Sequence, residues 1–146
     1  AMVKMINKLR APKEEPKTER PKSKYAEAYE VTPLLTYNES RNYKTLYDVA
    51  EIKGYRICPK VRLADIVKPR NDEKYMSHFG KIKAKHVDFA ICDKNMKVLA
   101  VIELDDNSHN RPDRIERDKF VDEILQANGI KVVHTRHITH DILDNI

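Results

Sequence analysis

Residues 85–106 read "KHVDFAICDKNMKVLAVIELDD", and this stretch decides the fold. In its first half Val87, Phe89 and Ile91 alternate with Asp88, Ala90 and Cys92. A period of two marks a β-strand whose two faces meet different surroundings. Residues 93–96, "DKNM", are turn-forming. The second half, "KVLAVIELD", is a nearly unbroken apolar run, the pattern of a strand covered on both faces. Two adjacent strands, one of them covered on both sides, imply a sheet with helices packed against it.

The flanking segments supply those helices. Upstream, Thr36 and Glu39 have capping-box spacing, Tyr43, Leu46, Tyr47 and Ala50 recur on one helical face, and Gly54 stops the element. Glu39 falls on the same stripe as the apolar residues, in the first turn; its spacing fits a plain backbone cap equally well. "YRICPKVRL" predicts a strand with Pro59 near its end, "LADIV" a brief helical segment, and a basic loop leads on to the hairpin. Downstream, Pro112 suits a first helical turn, Ile115, Val121, Ile124 and Leu125 line one side, and Gly129 suits the position past the end. "IKVVHTR" predicts a last strand and "HDILDNI" a short closing helix. The expected fold class is α/β, with αβββαβ order and a mixed four-stranded sheet flanked by helices.

The chain has 146 residues, enough for one domain and a tail. Residues 1–30 carry three prolines, mixed charge and few large apolar side chains, and read as an arm or linker ahead of a domain at 31–146. Ala1 ahead of Met2 reads as a cloning remnant. No apolar run approaches the ~20 residues of a membrane span, and no signal-peptide pattern is present. Cys58 and Cys92 stand among apolar neighbours and read as buried free thiols, with no zinc-type spacing, which fits a reducing cytoplasm. Net charge is +5, and residues 60–86 hold eight Lys/Arg against three acids. Such a segment attracts polyanions, or it is simply a solvated basic loop.

The acids at the strand end carry the chemistry. With a four-residue loop, Cys92 pairs with Lys97 and Asp88 lies opposite Val101. Glu103 is then diagonal to Asp88, roughly 7 Å away between backbones. Side-chain alternation puts Asp88, Glu103 and Asp105 on one face and turns Asp106 away. Carboxylates so placed repel one another unless a cation joins them. Oxygen donors of this kind suit Mg²⁺ or Mn²⁺, which can neutralise a scissile phosphate and activate water. Neutralisation by Lys85 or Arg117 is the structural alternative. "DDNSH" lacks the glycine and the distant glutamate of a calcium loop.

These residues resemble the PD-(D/E)XK, or restriction-endonuclease-like, nuclease superfamily. "VDF" supplies Asp88, "IELDD" supplies Glu103, and Glu39 matches a helix-borne acid. His109, the Arg117–Asp118 pair and the late Arg136 are similar to the branch around very-short-patch-repair endonucleases and related uncharacterised bacterial domains. The resemblance spans roughly residues 34–136. It implies a restriction-endonuclease-like core and metal-dependent hydrolysis of DNA phosphodiesters in repair, restriction or defence. It also implies a Mg²⁺ or Mn²⁺ site made by Glu39, Asp88, Glu103 and Asp105, helped by the Leu104 carbonyl. Catalytic roles fall to Asp88, Glu103, Asp105 and His109, the last as general acid or base. Lys83, Lys85, Arg111, Arg114, Arg117 and Arg136 are the expected phosphate contacts, with Arg136 alternatively bracing the acids. The pattern is broken at Asp105, where the superfamily usually has lysine, so a nucleic-acid-binding module with impaired catalysis is the rival expectation. No zinc finger or helix-turn-helix is evident, and base-specific reading is not expected.

Overall fold

The computed structural model describes Glu19, residues 22–105 and residues 111–146. The chain divides into two compact units, Ala1–Pro33 and Leu34–Ile146. In the first, the described residues form a turn over residues 24–28.

The second unit runs α1 (Tyr37–Lys53), β1 (Arg56–Arg62), α2 (Leu63–Ile66), α3 (Tyr75–Ile82), β2 (His86–Cys92), β3 (Val98–Leu104), α4 (Pro112–Ala127), β4 (Lys131–Thr135). The four strands lie in sequence order, antiparallel from β1 to β3, and β4 joins β3 in parallel after the α4 crossover. The sheet is therefore mixed and flanked by helices, in the expected αβββαβ order. Pro59 lies on β1, an edge strand, where a missing N–H is tolerated.

α1 begins with the expected capping box. The Thr36 N–H donates to Glu39 Oε2 at 2.7 Å, and the Glu39 N–H donates to Thr36 Oγ1 at 3.2 Å. It ends at Gly54, whose φ of 73° closes the helix with bonds to the Ala50 and Glu51 carbonyls. Its buried residues are Asn42, Leu46, Val49 and Ala50; Tyr47, expected on the core stripe, is 48% exposed. Asn42 is buried because it is fully engaged. Its Nδ2 donates to the Asn38 carbonyl at 2.9 Å, and its Oδ1 accepts from the Ile138 N–H at 2.7 Å.

Two apolar clusters sandwich the sheet. Leu46, Val49 and Ala50 pack with Phe89, Ile91, Ala100, Ile102 and Leu104, closed by Ile138 and Leu143. Val121, Leu125, Leu63 and Ile82 pack with Val87 and Val101. Cys92 is buried and Cys58 half-buried, both free thiols. Burial, then the neighbouring Cys58, pushes the Cys92 thiol up to about 11.

Three expectations are corrected. The basic loop contains a helix, α3, whose Tyr75 and Phe79 rings stack at 6.2 Å one turn apart while Ile82 is buried; intervening lysines hid this short apolar stripe. The chain end "HDILDNI" is a series of turns rather than a helix, secured by Leu143 in the core and by the Tyr55 hydroxyl donating to the Ile146 carbonyl at 3.1 Å. Ile115, placed on the core side of α4, is 43% exposed. Among the described residues, no helix is long and apolar enough to cross a membrane.

Candidate active site

The hairpin register places the central acids closer than the four-residue-loop pairing did. Cys92 pairs with Val98, Ile91 with Ala100 and Phe89 with Ile102. The turn thus takes in Lys97, with the Asp93 N–H donating to its carbonyl at 2.9 Å, and Leu99 is an extra, bulged residue. One step further along this register, Asp88 lies opposite Glu103 instead of Val101. The pairing has moved by two residues, an even number, so the acids keep their shared face.

Asp88 is anchored through one oxygen: Oδ2 accepts from the Leu104 N–H at 2.7 Å. Glu103 is half-buried beside it, and its carboxyl is pushed up to about 9. Burial is the main cause, followed by the Asp88 charge and a hydrogen bond with Asp88, with Arg117 opposing them. A pair so placed favours sharing a proton, or binding a cation, over carrying two bare charges. Arg117 contributes the structural neutralisation foreseen for it, but only in part; Lys85 is engaged elsewhere.

Glu39 and Asp105 have partners of their own. The Glu39 carboxylate, 14% exposed, caps Thr36 and lies 3.4 Å from Lys60 Nζ. Asp105 Oδ1 lies 3.1 Å from His134 Nδ1, and His134 Nε2 is 2.8 Å from Asp122 Oδ2. Both ring nitrogens face carboxylates, an arrangement that the doubly protonated ring satisfies. Burial lowers the His134 pKa, but the hydrogen bonds and charges of Asp122 and Asp105 outweigh it and raise the value overall. Among the described residues no three His, Cys, Asp or Glu side chains are grouped to hold a metal. Asp106 and His109 lie outside the described residues.

Strand pairing lines these groups up across the sheet. Glu103 pairs with His134. Lys60 falls between the pairs Pro59–Phe89 and Val61–Val87, which puts it opposite Asp88. The row is Lys60, Asp88, Glu103, His134, one residue from each strand. Lys60 has φ 52°, a left-handed backbone that costs a residue with a side chain about 1 kcal/mol or more. The sequence reading missed His134, Asp122 and Lys60. Their local signals are weak: a histidine beside "VV", an aspartate on a charged helix, a lysine after proline. The parallel β3–β4 register joins His134 to the site, and nothing local encodes it.

The expected basic contacts differ in their surroundings. Arg117 Nη1 is 3.1 Å from Asp118 Oδ1, and its Nη2 donates to the His86 carbonyl at 3.3 Å. Lys85 Nζ donates to the Lys81 carbonyl and lies 5.1 Å from the centre of the Phe120 ring. Both line a hollow of about 370 Å³ with Lys81, Asp113, Glu116 and Phe120, so its charge is mixed. Lys83, Arg111, Arg114 and Arg136 are exposed. Arg111 is the N-cap residue of α4, and Arg114 lies in its first turn.

No curated protein and no solved structure matches the chain. A family model described as "Protein of unknown function (DUF2726)" matches residues 31–146, from just ahead of α1 to the last residue, and so takes in every element above. The chain belongs to this family.

Proposed function

We propose that the chain is a metal-dependent nuclease of the PD-(D/E)XK kind, hydrolysing DNA phosphodiesters. The observation that carries this reading is the Asp88–Glu103 pair: two carboxyl groups on adjacent strands, one half-buried and pushed up to about 9, with only partial charge compensation. The donor set fits Mg²⁺ or Mn²⁺, which commonly take one or two carboxylates and complete their shell with water and phosphate oxygens. Asp88 Oδ1 and Glu103 would hold the ion. When bound, it supplies charge neutralisation at the phosphate and a more acidic water.

The chain's own groups divide the remaining work. The Leu104 N–H fixes the Asp88 carboxylate, and Arg117 tempers the charge at Glu103. Hydrolysis joins a water oxygen to phosphorus, breaks the bond to the leaving oxygen and moves a proton to it. Asp105 and His109 are the candidates for that proton traffic. Asp105 engages His134, and this contact favours a second reading, a DNA-binding module with little catalysis, because it draws the third carboxylate toward β4 and α4.

Plasmid nicking with Mg²⁺ or Mn²⁺ tests the first reading. Wild type nicks, and Asp88→Ala drops the rate by about a hundredfold or more, the scale on which loss of one catalytic group is felt. Equal rates for the two proteins defeat it. DNA binding by wild type without nicking supports the second.

A further inference from the structure

We infer that Lys60 is the phosphate-contacting cation of this site, supplied by edge strand β1. The inference rests on the nuclease reading and names a residue which that reading leaves out. A site of two carboxyl groups repels an anionic backbone unless a cation stands beside it. Arg117, the cation that tempers Glu103, is committed to Asp118 and the His86 carbonyl. Lys60 lies on the other side, opposite Asp88, with its ammonium 3.4 Å from Glu39 Oε2 and its side chain 38% exposed. The ion pair restrains the ammonium on one side while leaving N–H donors for a ligand.

The backbone makes the second case. Lys60 holds φ 52° inside a strand, a conformation that glycine or asparagine adopts more readily. An ordinary fastening ion pair needs no such residue there. A left-handed residue in an edge strand departs from the regular pleat, and backbone strain of this kind is common beside active sites. Position, charge and conformation together mark Lys60 as placed for a ligand.

The test is the salt dependence of binding to a short labelled DNA duplex, read by anisotropy with Ca²⁺ so that turnover is not needed. Wild type, Lys60→Gly and Lys60→Arg are compared. Lys60→Gly should lower the slope of log K against log salt by about 0.9, one phosphate contact, while Lys60→Arg keeps it. The melting temperature of Lys60→Gly should stay within a few degrees of wild type, since glycine accepts the left-handed backbone. If glycine weakens the fold, Lys60→Asn gives the same comparison. An unchanged slope in the neutral variant, or no DNA binding by wild type, overturns the inference. The two failures are separable. A Lys60-dependent slope without plasmid nicking defeats the nuclease reading alone; nicking with an unchanged slope defeats this one alone.

Discussion

Two clusters of ionisable side chains sit two residues apart at the end of β3, and they are built in opposite ways. At Glu103, a carboxyl meets the carboxyl of Asp88, and burial together with like charge pushes it up to about 9. At Asp105, a carboxylate meets His134, which reaches a second carboxylate on Asp122. There a cation lies between two anions, and the His134 pKa rises overall despite burial. The second cluster satisfies itself and ties β3, β4 and α4 together. The first sets two like charges side by side, and it costs the fold stability once both carboxyl groups are ionised. A fold tolerates such a pair where a ligand completes it, which is why the candidate site is assigned to Asp88 and Glu103 and not to the better-bonded histidine cluster.

The largest effect expected from this contrast is at Glu103. A carboxyl raised in the folded state from 4.5 toward 9 contributes fully below its ordinary pKa. That contribution is lost progressively as pH rises through this window. Glu103→Gln keeps a donor for Asp88 and removes the titration. In EDTA it should be more stable than wild type at pH 8 by about 1 to 3 kcal/mol, the usual cost of a poorly compensated buried polar group. The gap should close near pH 4.5. Added Mn²⁺ should raise the melting temperature of wild type and leave the variant unmoved. A variant less stable than wild type at pH 8 would place Glu103 with the structural groups and erase the contrast.

The site was unevenly legible in the sequence for a physical reason. Asp88 and Glu103 lie on strands joined by one short turn, so alternation alone put them on a common face. The pairing was still off by two residues, because the turn takes in Lys97 and a bulge at Leu99 leaves no compositional trace. The even error preserved the face; an odd one would have sent Glu103 to the other side of the sheet. The αβββαβ order followed from periodicity, while α3 was obscured by the lysines among its apolar residues. His134 and Lys60 were invisible because their places depend on pairing between distant segments, and for Lys60 also on a left-handed φ that its residue type disfavours. Glu39 was legible as a cap, and the cap is observed; its ion pair with Lys60 needed the fold.

Asn42 offers a control with no charge. It is 6% exposed, and its Oδ1 receives the Ile138 N–H that holds the chain end to α1. Asn42→Ala strands that N–H and should cost about 1 to 3 kcal/mol in urea unfolding. The loss should be the same from pH 5 to 9, since nothing at Asn42 titrates. A pH-dependent loss would mean that the acid clusters couple to the α1 contact. The pH dependence of the Glu103 variant could then no longer be read as local.

The smallest effect sharpens the contrast most. His134 and its two partners are each about a third exposed, so solvent screens their attraction, and His134→Gln should cost only about 0.5 to 1 kcal/mol at pH 6. A histidine whose pKa is raised by folding stabilises fully below its ordinary pKa. That stability is lost as pH climbs through the raised value. The variant's deficit should therefore fade between pH 6 and 9, and it should shrink in 1 M salt, where the screening length falls to about 3 Å. Over the same interval the advantage of Glu103→Gln should grow. Wild type loses stability with rising pH through both clusters, but for opposite reasons: one loses the proton that joins unlike charges, the other loses the proton that separates like ones. Urea midpoints of the two single variants at pH 6 and 9 separate these contributions. A deficit for His134→Gln that persists unchanged at pH 9 would mean that the neutral ring's packing, and not its charge, fastens β4 to α4.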